Sequence, residues 1–157
     1  MTLHRILVTS ILLAAPAASV AQTTTHMEAE QALLQGLKAT VYKSPTCGCC
    51  EGYIAFLREH GVTVEVLSDD AALYRAKEVN GVPLEARSCH TVLLDGYVLE
   101  GHVPLEALTK LLAERPDLDG IAMPGMPSGT PGMEGPQFGP LEIVGFKAGR
   151  LSPFVSL

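Results

Sequence analysis

The chain has 157 residues, of which 47% are hydrophobic and 18% charged, and this size and composition suit one domain of ordinary size. Its formal charge of −6 argues against a nucleic-acid partner, because a phosphate backbone is bound by clustered Lys and Arg. Aromatic residues make up 5% of the chain and Trp is absent, so no base-stacking surface is indicated.

The N-terminus has the pattern of an export signal. A short basic segment precedes an apolar run over residues 6–20, and small residues up to Ala21 suit a signal peptidase. The run is short for a membrane span and has no stop-transfer flank, although an uncleaved anchor stays open as the alternative. We predict a signal peptide over residues 1–21, a periplasmic location and no membrane span after cleavage. In that oxidising compartment, four cysteines would ordinarily form two disulfides.

The first half of the mature chain alternates between strand and helix patterns. Residues 22–37 are interpreted as a leader, and the β-branched and aromatic run over residues 38–43 predicts a first strand. Apolar residues at helical spacing from Cys50 to His60 predict a helix that ends at Gly61. Residues 62–67 alternate as a strand does.

The second half continues the same alternation. Asp69 and Asp70 open a second helix that runs to Val79. Strands are predicted over residues 89–94 and 97–100, joined by a tight turn at Asp95-Gly96, and a third helix runs from Pro104 towards Pro116. The order β-α-β-α-β-β-α predicts an α/β fold: a thioredoxin-like mixed sheet flanked by helices, over residues 38–118.

A C-terminal extension over residues 119–157 differs sharply in composition. Residues 121–136 are too rich in Gly and Pro for a helix or a central strand, and they contain Met123, Met126 and Met133. The tripeptide Pro-Gly-Met occurs twice there, which indicates a tethered loop. Residues 141–146 are predicted to form a last strand, at a sheet edge.

The segment Cys47-Gly48-Cys49-Cys50 lies between the first predicted strand and the first predicted helix. A helix N-terminus stabilises anions, so these thiols should ionise more readily than free cysteine, and the thiolate attacks disulfides or binds metals. Cys47 and Cys50 have the spacing of a dithiol oxidoreductase, but the inserted Cys49 has no use there. Three sulfurs within four residues suit a soft metal, above all Cu(I).

A second group of candidate ligands precedes the third predicted strand. In thioredoxin-like folds this position faces the redox pair, so we expect Cys89 and His90 to lie opposite the cysteine cluster. Together with the cysteine cluster, these two residues provide more ligands than one tetrahedral ion requires, which favours a multinuclear cluster. His102 adds an imidazole, which also serves Cu(II). The three methionines of the extension add thioethers, which suit Cu(I) better than Zn(II), although Met also serves simply as a packing residue.

Five blocks of the sequence resemble one known family when taken together. They are Val41-Tyr-Lys-Ser-Pro-Thr-Cys-Gly-Cys-Cys50, Gly81-Val-Pro83, Ser88-Cys-His-Thr91, Glu100-Gly-His-Val-Pro104 and Met123-Pro-Gly-Met-Pro-Ser-Gly-Thr-Pro-Gly-Met-Glu134. They closely resemble the CopG-like family of periplasmic copper-resistance proteins, over roughly residues 38–146.

The resemblance implies a thioredoxin-like domain with a C-terminal extension that helps to bind metal, and a role in handling copper that includes interconversion of Cu(I) and Cu(II). It implies that the cluster residues are Cys47, Cys49, Cys50, Cys89 and His90, with His102 and the methionines as further candidates. The family pattern has an aromatic residue, often Trp, soon after the cluster, and Tyr53 is the nearest one here.

The sequence therefore predicts a monomeric periplasmic copper-binding protein of copper resistance. Its expected partners are copper ions and periplasmic copper efflux or redox components, and a copper oxidoreductase activity stays open. The alternatives are a thiol-disulfide oxidoreductase that uses Cys47 and Cys50, a structural zinc module, and two structural disulfides. A pairing of Cys47 with Cys50 stays open for a resting, metal-free form. His60 is expected to complete a helix end, and His26 to lie on the surface.

Overall fold

The computed structural model describes residues 31–157. The predicted signal peptide, His26 and the first part of the predicted leader lie outside the described residues. The strands are β1 Lys38–Lys43, β2 Thr63–Ser68, β3 His90–Leu94, β4 Tyr97–Glu100, β5 Gly120–Ala122, β6 Glu142–Lys147 and β7 Arg150–Ser156. The helices are α1 Gly48–Glu59, α2 Asp70–Val79 and α3 Leu105–Glu114, with a short 3₁₀ helix at Leu84–Ala86.

The seven strands form one mixed sheet in the order β2-β1-β3-β4-β5-β6-β7. β1 pairs with β2 and β4 pairs with β5 in parallel, and the remaining neighbours are antiparallel. This architecture confirms the predicted α/β class and the mixed sheet flanked by helices. Within residues 31–157, no helix is both long and apolar enough to cross a membrane.

Helices cover both faces of the sheet. Successive residues of a strand point to opposite faces, so each strand contributes side chains to the packing on both sides. Val41 and Val92 face the side on which α1 and α3 pack, in a core that also contains Leu57 and Leu108. On the other face, the side chain of Thr91 meets α2 through a hydrogen bond from Lys77. The start of α2 is capped as the sequence predicts, since the Asp69 carboxylate accepts a 2.7 Å hydrogen bond from the Ala72 amide.

The ends of three elements meet at one end of the central strands of the sheet. β3 runs antiparallel to β1, so its first residue, His90, pairs with the last residue of β1, Lys43. β4 runs antiparallel to β3, so its last residue, Glu100, pairs with Thr91. Since α1 begins just after β1, its N-terminus, the start of β3 and the end of β4 all lie together at this end of the strands.

The C-terminal extension adds three strands to this same sheet, which corrects two expectations. The Gly/Pro-rich composition predicts no central strand, but Gly120–Ala122 forms β5 inside the sheet. Gly120 is required there, because a Cβ atom would collide with the Val98 carbonyl and the Phe146 ring. The strand predicted at an edge over residues 141–146 is β6, and it lies inside the sheet because β7 pairs with it and forms the edge.

The end of the predicted leader also contributes to the core. Leu34 is fully buried and Leu37 packs against the same cluster, so these residues belong to the domain. The Gly36 amide donates a 3.1 Å hydrogen bond to the Gly61 carbonyl, which joins this segment to the residues that follow α1.

Candidate metal centre

Four cysteine sulfurs lie together at the end of the central strands, where α1 and β3 begin. Cys47 is the N-cap of α1, and Cys49 and Cys50 lie in its first turn. Cys47 and Cys50 form a disulfide, whereas Cys49 and Cys89 are free thiols. The Sγ atom of Cys49 lies 3.5 Å from that of Cys47 and 3.9 Å from that of Cys89. All four sulfurs lie within 4.8 Å of one another, close enough to share a metal ion once the Cys47–Cys50 disulfide is reduced.

Two imidazoles extend this group on the side of Cys89. The Cys89 sulfur lies 3.3 Å from Nδ1 of His90 and 3.2 Å from Nε2 of His102. The two imidazole rings are 4.8 Å apart and nearly perpendicular. Cys89, His90 and His102 therefore form a second group of donors, and Cys89 belongs to both groups. The structure brings together all six Cys and His candidates that the sequence predicts.

Burial sets the protonation states of these donors. It raises the pKa of the Cys89 thiol to about 11, and the neighbouring Cys49 acts in the same direction. It lowers the pKa of His90 to about 3 and also lowers that of His102. Near neutral pH both imidazoles are consequently neutral, which is the form that binds metals.

His90 provides a direct test of whether a metal fits this site. Its side chain is fully buried, and its Nε2 atom has no hydrogen-bond partner within residues 31–157. A buried polar atom without a partner is costly, and such atoms in native proteins call for an explanation. The cysteine sulfurs and the His102 imidazole beside the His90 ring form a donor set that suits copper or zinc. The residues present thus fit a bound soft or borderline metal.

Tyr53 packs against both imidazoles on the α1 side. Its ring centroid lies 4.7 Å from that of His90 and 5.6 Å from that of His102. Its hydroxyl donates a 3.1 Å hydrogen bond to the Val103 carbonyl, and burial raises its pKa, so the phenol stays neutral. Tyr53, the aromatic residue nearest to the cluster in the sequence, thus packs against both candidate imidazole ligands.

The three candidate methionines have different environments. Met123 is buried and packs in the main hydrophobic core, whereas Met126 is 55% exposed and Met133 is half-buried. Their role as ligands stays a prediction. His60 lies at the end of α1, with its Nδ1 atom 2.8 Å from the Phe56 carbonyl, as expected for a residue that completes a helix end.

A buried ionic network behind the site was not predicted from the sequence. The Glu100 carboxylate is fully buried and pairs with Lys77 of α2. It also accepts hydrogen bonds of 2.6 Å from the Ser88 amide and 2.7 Å from the Thr91 hydroxyl. Burial raises the pKa of Glu100, but all three donors favour its ionised form. Since Ser88 and Thr91 flank Cys89 and His90, this network fixes the segment that carries two candidate ligands.

The fold and the site define an α/β protein with a Cys/His cluster that could hold metal. Two solved structures, both titled as a copper resistance protein CopG, resemble the chain. Form 2 is 39% identical, covers 77% of this chain and 98% of its own length, and has a TM-score of 0.68. Form 1 is 38% identical, covers 77% and 97%, and has a TM-score of 0.69.

The chain therefore belongs to the CopG-like family of copper-resistance proteins, as the sequence motifs predicted. A family described as a protein of unknown function, DUF411, matches residues 86–133, which include Cys89, His90 and His102. No curated protein matches the chain.

Proposed function

We propose that this protein binds copper ions in its Cys/His cluster and acts in copper resistance. The observation that carries the proposal is the convergence of four sulfurs and two neutral imidazoles, with the buried Nε2 atom of His90 lacking a hydrogen-bond partner within residues 31–157. Thiolates are soft donors that favour Cu(I), and imidazole accepts copper in both oxidation states. The family relation to copper-resistance proteins supports the same metal.

The division of the cluster favours more than one copper ion. In the reduced protein the four sulfurs form one donor group, and Cys89 with the two imidazoles forms another. A thiolate that belongs to both groups is suited to bridge two ions, so we propose a multinuclear cluster with Cys89 as a bridging ligand. The all-sulfur group would favour Cu(I), whereas the mixed group would also accept Cu(II).

Interconversion of Cu(I) and Cu(II) is the finer form of this function. Cys47 and Cys50 form a disulfide here, so as a dithiol they can supply two electrons. Oxidation of the two thiols to the disulfide would reduce two Cu(II) ions to two Cu(I) ions and release two protons. Regeneration of the dithiol would require an external thiol reductant, which is one class of redox partner that the function implies.

Thiol-disulfide exchange is the second candidate, and the Cys47–Cys50 disulfide is the observation that favours it. The strand order β2-β1-β3-β4 and its directions also support the thioredoxin-like assignment of this half of the sheet. In this candidate Cys47 is the nucleophile and Cys50 resolves the mixed disulfide. The inserted Cys49 and the two imidazoles have no role in it.

Titration of the reduced protein with Cu(I) without oxygen, against a competing chelator, tests the proposal. We expect more than one Cu(I) per chain, and a loss of stoichiometry in Cys49→Ser and Cys89→Ser. His60→Ala, which removes an imidazole outside the cluster, should behave like the parent. Unchanged copper binding in both cysteine variants would refute the proposal. Disulfide reductase turnover that is abolished in Cys47→Ser but kept in Cys49→Ser would favour the second candidate.

Competition between Zn(II) and Cu(I) separates a copper protein from a structural zinc module. Imidazole and thiolate permit zinc, but the number of sulfurs favours copper. We place the function in the periplasm because the sequence predicts an N-terminal export signal, and we propose a monomer that exchanges copper with efflux or redox components there.

A further inference from the structure

The residues 123–133, here called the strap, join β5 to the loop before β6 and contact both sides of the cluster. The Ser88 hydroxyl, next to Cys89, donates a 2.9 Å hydrogen bond to the Gly125 carbonyl. The Nδ1 atom of His102 lies 2.7 Å from the Pro131 carbonyl. The strap therefore touches the polypeptide beside one candidate ligand and the ring of another.

A tight turn presents the Pro131 carbonyl. Met133 donates a 2.8 Å hydrogen bond from its amide to the Thr130 carbonyl, which closes a turn with Pro131 and Gly132 at its centre. Pro followed by Gly at positive φ is the pattern of a type II turn, and Gly132 has φ +79°. The Thr130 carbonyl accepts the hydrogen bond that closes the turn. The Pro131 carbonyl takes no part in that bond and is free to accept from His102.

The turn lies directly on the first part of α1, backbone against backbone. A Cβ atom on Gly132 would lie 2.5 Å from the Tyr53 amide nitrogen and 2.9 Å from the Cys49 carbonyl oxygen. A Cβ atom on Gly52 would lie 2.7 Å from the Gly132 Cα atom. Both positions thus need glycine for close approach, and any larger residue must push the turn away from the helix.

The hydrogen bond to Pro131 determines the tautomer of His102. A carbonyl oxygen can only accept, so Nδ1 must carry the proton in the neutral ring. Nε2 then has a free lone pair, and this is the atom that lies 3.2 Å from the Cys89 sulfur. Hydrogen bonding of the second ring nitrogen is the usual way in which a protein orients a histidine ligand.

We propose that the Gly52–Gly132 contact and the Pro131 carbonyl are positioning elements that hold His102 ready to bind metal through Nε2. The repeated Pro-Gly-Met of the sequence has a structural role in this proposal, since its second copy forms the turn. The proposal deepens the proposed function and rests on it only where copper affinity is measured.

The tautomer is measured in the reduced, metal-free protein from the ¹⁵N chemical shifts of the His102 ring. We expect the Nδ1–H tautomer in the parent chain, and a mixture of tautomers in Gly132→Ala. Gly149→Ala is the matched control, because Gly149 also has positive φ, at +75°, but a Cβ atom there meets nothing within 4 Å. Retention of the parent tautomer in Gly132→Ala would overturn the proposal.

Gly52→Ala tests the same contact from the helix side. It has no left-handed backbone to strain and raises helix propensity, so it should fold even if Gly132→Ala does not. Competition with a Cu(I) chelator should show weaker binding by about 10- to 100-fold in both variants, the range for loss of a partner that orients a ligand. Gly149→Ala should bind like the parent, and parent-like affinity in Gly52→Ala would count against the proposal. Failure of the parent to bind Cu(I) would refute the proposed function, and the tautomer measurement would still decide this one.

Discussion

Replacement of Glu100 by Gln should strongly destabilise the metal-free protein. The Glu100 carboxylate is fully buried and is the only charge paired with the Lys77 ammonium among the described residues. Gln keeps the shape and one acceptor oxygen, but it removes the negative charge. The Lys77 side chain, itself 8% exposed, would then be a buried cation without a counter-charge.

The size of the effect follows from this burial. Loss of one partner of a buried ion pair typically costs about 3–5 kcal/mol, because the remaining charge stays desolvated. The new glutamine amide would still accept from the Ser88 amide or the Thr91 hydroxyl, so we expect a value near the lower limit, about 3 kcal/mol. The exposed pair between Lys110 and Glu114 provides the comparison, since an i,i+4 surface pair contributes only about 0.5 kcal/mol.

Urea unfolding of the full chain in its reduced, metal-free form measures both values. Glu100→Gln should lower the free energy of unfolding several times more than Glu114→Gln does. Combining Glu100→Gln with Lys77→Met should recover more than half of the loss, because the buried cation is then gone. Equal effects of Glu100→Gln and Glu114→Gln, or no recovery in the double variant, would refute this account of the network.

Two further predictions concern the site itself. Apparent Cu(I) affinity should rise with pH between about pH 6 and 8, by roughly tenfold per unit for each proton released, because metal must displace the proton of a thiol. Cys89, with its pKa raised to about 11, stays protonated throughout this range until metal binds. The imidazoles, with lowered pKa values, add little, and a flat profile in chelator competition would contradict the thiolate ligands. Tyr53→Phe should cost about 1 kcal/mol in urea unfolding, for the lost bond to the Val103 carbonyl, and leave the Cu(I) stoichiometry unchanged. A lost copper ion in that variant would mean that the phenol is a ligand.

The elements with clear periodicity could be predicted from the sequence alone. The first four strands and three helices lie where apolar spacing and caps placed them, and Asp95-Gly96 forms the expected two-residue turn with positive φ at both positions. β5 has only three residues, too few to show any period, and its glycine and small side chains suggested a loop. β7 contains Pro153, which normally argues against a strand, but it lies beside a register shift on an edge strand where no amide is needed.

The candidate ligands were predictable because their chemistry is visible in single residues and the fold places them. The strand-to-helix junction and the start of β3 must meet once β3 is antiparallel to β1, so Cys49 and Cys89 were expected to face each other. The supporting groups were not predictable in the same way. A backbone carbonyl such as that of Pro131 has no signature in sequence, and the burial of Lys77 and Glu100 depends on packing between α2 and the sheet.

Cys89 is the residue at which the copper and dithiol interpretations differ most. In a dithiol enzyme, Cys47 and Cys50 complete the chemistry, and the Cys89 thiol, which lies 3.9 Å from Cys49 and has a raised pKa, would be an inert neighbour. For a metal site the same placement is an advantage, because a protonated thiol between two neutral imidazoles and three sulfurs adds no buried charge until a cation arrives. The cation then stabilises the thiolate, and the two neutral imidazoles bind it without losing a proton. Burial that would hinder a nucleophile therefore suits a bridging ligand, and this contrast favours copper binding as the function of the cluster.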